Sequence, residues 1–187
     1  PIDAARFRPV LDPGDYYLVV SRLVPYKRID LAVRACTELG LPLLVGGKGR
    51  DRARLEALAG PTVRFLGYVP DADLPDIFAR CRAFLFPGLE DFGITPLQAM
   101  AAGRPVIAYR GGGALDTVIP GRTGTLFDEP TVESLIAALQ DFDASAYSPD
   151  TLRTHALRFD APVFREAITG YIARASDEVQ RGGSRRV

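Results

Sequence analysis

Ala83-Phe84-Leu85-Phe86-Pro87-Gly88-Leu89-Glu90-Asp91-Phe92-Gly93-Ile94-Thr95-Pro96-Leu97-Gln98 runs straight into Ala99-Met100-Ala101-Ala102-Gly103. The first four residues are continuously apolar, as in a strand buried on both faces. Pro87-Gly88 ends that run, and Pro96 to Ala102 reads as a short helix closed by Gly103. Strand, acid, glycine and helix start, in that order, place backbone N–H groups and a carboxylate at one sheet edge. Such an edge suits anions and hydroxyls.

The same grammar repeats on either side. Strands are read at Tyr16–Val20, Leu43–Val45, Val63–Leu66, Pro105–Tyr109 and Thr125–Phe127. Helices are read at Arg28–Leu39, Asp51–Ala59, Leu74–Arg80 and Leu115–Val118. Apolar strands alternating with helices predict an α/β fold, a Rossmann-like parallel sheet covered on both faces. From Thr131 onward only helices are expected: Val132–Asp141, one capped by Ser148 with Pro149 at its first position, and one from Asp160 to about Val179. Pro1–Asp15 is an entry segment without periodicity, in which Arg6-Phe7-Arg8-Pro9 can pack on the body. Gly182–Val187 reads as a frayed tail.

Bulk composition excludes several classes. The 187 residues suffice for one domain with a core, at 47% apolar and 25% charged. Lys+Arg and Asp+Glu are both 23, so a dedicated nucleic-acid binder is not expected. No apolar run reaches the length of a membrane span. Pro1-Ile2-Asp3 lacks the basic start and apolar stretch of a secretory signal. Cys36 and Cys81 read as buried free thiols in a reducing, cytoplasmic compartment. One histidine, His155, and no Cys/His cluster give no expectation of a zinc site; His155 reads as a packing or surface residue.

Ligands of parallel sheets bind beyond the carboxyl ends of the strands, and four glycine clusters fall there. After the first strand come Arg22, Lys27 and Arg28. Lysine occurs only at 27 and 48. Two cations at a helix start oppose its dipole, which makes sense if a polyanion binds between them and Arg22; a solvated basic helix start also fits. Gly47-Lys48-Gly49 after the second strand allows a ligand to approach the backbone, though it is neither a dinucleotide fingerprint nor a Walker loop. Gly67-Tyr68-Val69 after the third fits a nucleobase or an ordinary turn. After the fourth, Gly93, Ile94, Thr95 and Leu97 offer N–H groups, and Glu90 can accept from hydroxyls. Glu90-Asp91 also fits simple helix capping. Gly111-Gly112-Gly113 reads as a tight connection ahead of Asp116.

In this order, Arg22…Lys27, Gly47-Lys48-Gly49, Gly67-Tyr68-Val69, Glu90-Asp91-Phe92-Gly93, Pro105-Val106-Ile107-Ala108 and Thr123-Gly124 resemble the nucleotide-binding domain of the retaining GT-B glycosyltransferases of family 4. The Glu-Asp-Phe-Gly-Ile-Thr-Pro form looks most like mannosyltransferase-type members. The resemblance covers roughly Asp15 to Arg174. It implies the C-terminal half of a GT-B fold with a helical C-terminal extension: residues 1–14 a linker remnant, 15–130 the donor-binding core, 131–180 its C-terminal helices and 181–187 a tail.

For function the resemblance implies a nucleotide-diphosphate sugar as donor, with GDP-mannose leading, and no metal or other cofactor. Arg22 and Lys27 would bind the diphosphate and aid leaving-group departure. Glu90 would contact the sugar. Asp91, Phe92, Gly93, Ile94, Thr95 and Leu97 would hold sugar and diphosphate, Gly47, Lys48 and Gly49 would line the site, and Gly67, Tyr68 and Val69 would border the base. A glycan or lipid-linked acceptor would bind through an N-terminal domain, with peripheral membrane association of the whole enzyme possible in that class. The family signature carries two glutamates, and the second is here Gln98, the ribose-binding position. An amide oxygen accepts while its NH2 only donates, so weaker ribose binding is expected. A nucleotide-binding module without catalysis and a GT-B nucleotide-sugar epimerase remain alternatives.

Overall fold

The computed structural model describes residues 1–10 and 12–183. Six strands form one sheet: β1 (Tyr17–Val20), β2 (Leu43–Gly46), β3 (Val63–Gly67), β4 (Ala83–Phe86), β5 (Val106–Tyr109) and β6 (Gly124–Phe127). All neighbours pair parallel, in the order β3-β2-β1-β4-β5-β6. The winding reverses between β1 and β4. Tyr17 pairs with Leu43 on one side and Ala83 on the other. The α/β, Rossmann-like fold class expected from the sequence is the one observed.

The central strands feed two cores because their side chains alternate. Tyr17 and Val19 of β1, Leu85 of β4 and Ile107 of β5 enter one core. That core is covered by α1 (Ile29–Glu38), α2 (Arg52–Leu58) and α6 (Val132–Gln140). Leu18, Phe84, Val106 and Ala108 enter the other. It is covered by α3 (Leu74–Arg80), α4 (Ile94–Ala101) and α7 (Pro149–Leu157). Between α4 and α6 lies the single-turn α5 (Ala114–Thr117). Thr131 caps α6 by accepting from Ser134, and Ser148 caps α7 by accepting from Thr151.

Three sequence expectations need correction and one is sharpened. The helix expected from Arg28 starts at Ile29, after a 3₁₀ turn over Pro25–Lys27, and Arg28 adopts φ 50° as its cap. The helix expected from Pro96 starts two residues earlier; a proline in the first turn has no N–H to waste there. The entry segment packs on the body as expected, with Ile2 and Phe7 buried, and adds a 3₁₀ turn over Ala4–Arg6. Finally, α8 (Ala161–Gly183) carries helix through Gly182 and Gly183; the rest of the expected tail, 184–187, lies outside the described residues, as does Leu11 of the entry segment.

The amino-terminal edge of the sheet is tied down by one arginine. Arg104, buried just ahead of β5, donates from Nε to the Ala79 carbonyl at 2.6 Å and from Nη2 to the Val10 carbonyl at 2.8 Å. Cys36 and Cys81 are buried free thiols, and burial pushes both up to about 12, so neither is a thiolate at neutral pH. Among the described residues, no helix is long and apolar enough to cross a membrane.

Candidate functional site

The reversal between β1 and β4 opens a crevice at their carboxyl ends, where open α/β sheets take ligands. The chain leaving β1 is stitched to the end of β2 and the loop after it, and that loop to the end of β3. Ser21 N–H donates to Gly46 at 3.0 Å, Leu23 N–H to Lys48 at 2.9 Å, and Gly47 N–H to Gly67 at 2.6 Å. Gly47 has to be glycine here: a Cβ would sit 1.8 Å from the Ser21 carbonyl oxygen. Tyr68 is exposed beside this seam, with the Lys48 ammonium 5.5 Å from its ring centroid, and Val69 is buried.

Lys27 does not sit in the first turn of α1. It ends the 3₁₀ turn, and Asp30 takes the first-turn position that a helix dipole favours for an acid. Lys27 therefore does not oppose the dipole of α1 from its first turn; its ammonium instead forms an ion pair with the Glu90 carboxylate. Both side chains are largely desolvated, at 17% and 19% exposure, so the pair is not a screened surface contact. Arg22 stays exposed and donates from Nη2 to the Tyr26 hydroxyl at 3.0 Å.

Arg22 and Lys27 meet the turn from Glu90 to Thr95 around one cavity of about 400 Å³. Asp91, Phe92, Gly93 and Ile94 line it as well. Ile94 and Thr95 open α4, so their N–H groups have no intrahelical acceptor, and Pro96 has none to give. The cavity thus combines two cations, a carboxylate and free backbone donors, a set suited to a ligand with both phosphate oxygens and hydroxyls. Gly47, Lys48, Gly49, Gly67, Tyr68 and Val69 form the neighbouring rim and do not line it. The Leu97 side chain is in the core, and Gln98 is half-buried in the second turn of α4, outside the lining.

Sequence reasoning missed what holds the acidic turn. Gly113 N–H donates to the Glu90 carbonyl at 2.7 Å, and a Cβ on Gly113 would lie 2.4 Å from Phe92 Cα and O. The triple glycine after β5 is therefore the bed on which Glu90–Phe92 lies. The bed is itself braced. Thr117 Oγ1 donates to the Gly113 carbonyl at 2.8 Å, and His155 Nε2 lies 2.8 Å from the Thr117 carbonyl. The His155 ring meets Phe159 edge-on at 5.5 Å, and Phe159 meets Phe92 edge-on at 6.1 Å. Three glycines in a row were the signal, but their partner lies over twenty residues upstream.

Burial holds the His155 imidazole below its ordinary 6.5, against the pull of its bond to Thr117. The native state therefore binds fewer protons than the unfolded chain just below that value. Its contribution to stability is complete above pH 6.5 and is lost as pH falls through the depressed native value. Denaturant unfolding between pH 7.5 and 5.5 should show stability declining with acid, by at most about 1.4 kcal/mol per pH unit from this group. His155→Gln should flatten that slope; an unchanged slope would remove His155 as its cause.

Comparison with known proteins adds the family. Residues 2–154 match the family model described as Glycosyl transferases group 1. Over 161 residues the chain is 35% identical to the GDP-mannose-dependent alpha-(1-6)-phosphatidylinositol monomannoside mannosyltransferase of Mycolicibacterium smegmatis, covering 75% of this chain and 42% of that protein. Over 121 residues it is 40% identical to a GDP-mannose-dependent alpha-mannosyltransferase of the same organism, covering 64% and 32%. The sucrose-phosphate synthase structure from Thermosynechococcus elongatus superposes with a TM-score of 0.80 at 25% identity, over 97% of this chain and 51% of that one. The chain thus spans less than half of each of these two mycobacterial relatives. With the family model running from the entry segment into α7, the chain belongs to the glycosyl transferases group 1 family.

Proposed function

We propose that this chain is the donor-binding part of a retaining hexosyltransferase whose donor is a nucleotide-diphosphate sugar, GDP-mannose first among them. One observation carries the reading: Arg22 and Lys27 converge with the Glu90–Thr95 turn on a single cavity at the point where the sheet reverses. The diphosphate lies between the two cations and the first N–H groups of α4. As the bond from the anomeric carbon to the diphosphate lengthens, negative charge grows on the leaving oxygen. Arg22 and Lys27 stabilise that charge more than they stabilise the intact donor. Glu90 accepts from sugar hydroxyls, Tyr68 and Val69 border the base, and Gln98 faces the ribose. No metal is needed for these roles.

The choice of mannose is supported by the names of the relatives, both GDP-mannose-dependent. The acceptor, a glycan or a lipid-linked saccharide, is met by a further domain joined through the segment 1–14, with residues 15–130 as donor core and 131–180 as its closing helices. Phe164, Tyr171 and Ile172 of α8 are 50%, 62% and 57% exposed, an apolar face that such a domain would cover. The enzyme would work in the cytoplasm, where nucleotide sugars are made.

Calorimetric titration with GDP, UDP and their hexose conjugates tests the reading. Binding in the micromolar to millimolar range is expected. A folded protein that takes up none of them at millimolar concentration would sink it.

A further inference from the structure

We infer that Tyr26 is a positioning residue of the donor site, which sets both cations before the diphosphate arrives. The inference rests on the proposed reading of the cavity. Tyr26 is the middle residue of the 3₁₀ turn Pro25–Lys27 and is 54% exposed, so it carries little of the core. Yet it touches both cations. Its hydroxyl accepts from Arg22 Nη2 at 3.0 Å, and the Lys27 ammonium lies 5.0 Å from its ring centroid. That distance is within the range of a cation–π contact.

The turn explains how one residue reaches two partners. Pro25 fixes its own φ, Lys27 N–H donates to the Val24 carbonyl at 3.1 Å, and Arg28 N–H to the Pro25 carbonyl at 3.1 Å. Arg28 then enters the left-handed region at φ 50°, and the chain turns into α1. With the backbone pinned on both sides, the Tyr26 hydroxyl meets Arg22 while its ring meets the Lys27 ammonium. An exposed arginine has several rotors to freeze before it can grip a phosphate with two N–H groups. A hydroxyl that engages one Nη in the free protein removes part of that cost from binding. The ring does the same for Lys27, whose other partner is the Glu90 carboxylate.

Two replacements separate the contacts. Tyr26→Phe keeps the ring under Lys27 and deletes only the hydrogen bond to Arg22. Tyr26→Leu deletes both. The probes are GDP, UDP and inorganic pyrophosphate, titrated into the folded chain by calorimetry, with the thermal midpoint of each variant measured beside them. Tyr26→Phe should weaken all three probes by about threefold, and Tyr26→Leu by about tenfold, with thermal midpoints unchanged. In an Arg22→Ala background, Tyr26→Phe should cost nothing further, because the group it holds is gone. Wild-type affinity in Tyr26→Phe, or an equal loss with and without Arg22, would overturn the inference while leaving the donor site standing. Failure of the unaltered protein to bind any probe would instead remove the reading beneath it.

Discussion

Lys27→Ala is expected to weaken GDP or UDP binding by about 100-fold, the larger loss of the two cation replacements. Arg22→Ala removes one charged donor and should cost about tenfold. Lys27→Ala removes a charged donor and also strips the Glu90 carboxylate of its partner. That carboxylate would then face the diphosphate across the same cavity. Two like charges about 6 Å apart at an effective dielectric constant near 20 repel by about 2–3 kcal/mol. The opposite sign is expected for Glu90→Gln. With no carboxylate to compete for Lys27, the nucleoside diphosphate should bind tighter, by about threefold or more. Titration of the three variants decides the matter, since simple disruption of the cleft would make all three weaker. Added salt should blunt the differences only modestly, because the pair is mostly out of solvent.

The second large effect is expected at Gly113, which does not line the cavity. Gly113→Ala places a methyl group 2.4 Å from Phe92 Cα and O, and backbone atoms cannot step aside as a flexible side chain can. Overpacking of this kind costs about 1–3 kcal/mol, and the strain falls on the turn that presents Glu90 and opens α4. Diphosphate binding should drop by about tenfold or more, beyond what the stability loss explains, since 1–3 kcal/mol still leaves most of a typical domain folded. Binding measured well below the thermal midpoint, with circular dichroism as the check on folding, separates the two. A Gly113→Ala protein with full affinity would show that the glycine bed supports the turn without shaping it.

Where the sequence could be read, the signal was local. Ala83–Phe86 and Leu74–Arg80 fall on β4 and α3 to the residue, one a continuous apolar run and the other a helix that ends where Cys81 turns extended. The parallel sheet followed from strands apolar on both faces. Boundaries slipped where turn chemistry prevailed: Pro25 starts a 3₁₀ turn that looks like the head of α1, and Pro96 looks like a helix start although it is the third residue of α4. The site was legible as a list and not as a geometry. Lys27 and Glu90 are 63 residues apart, and only the winding order β1 next to β4 brings them into contact. The brace from His155 through Thr117 to Gly113 is a chain of carbonyl and hydroxyl contacts that side-chain type alone does not encode.

Arg104, ahead of β5, and the cavity, at the carboxyl ends of β1 and β4, lie at opposite edges of the same parallel sheet. That separation matters for anyone who wants to improve this domain. Catalytic sites usually resist stabilising changes because the groups that work are held in costly arrangements, and gains in robustness are repaid in lost activity. Here the amino-terminal edge is fastened by a clamp and a packed entry segment that no donor would reach. Directed evolution confined to that edge can raise thermal tolerance while the cavity edge keeps its charges.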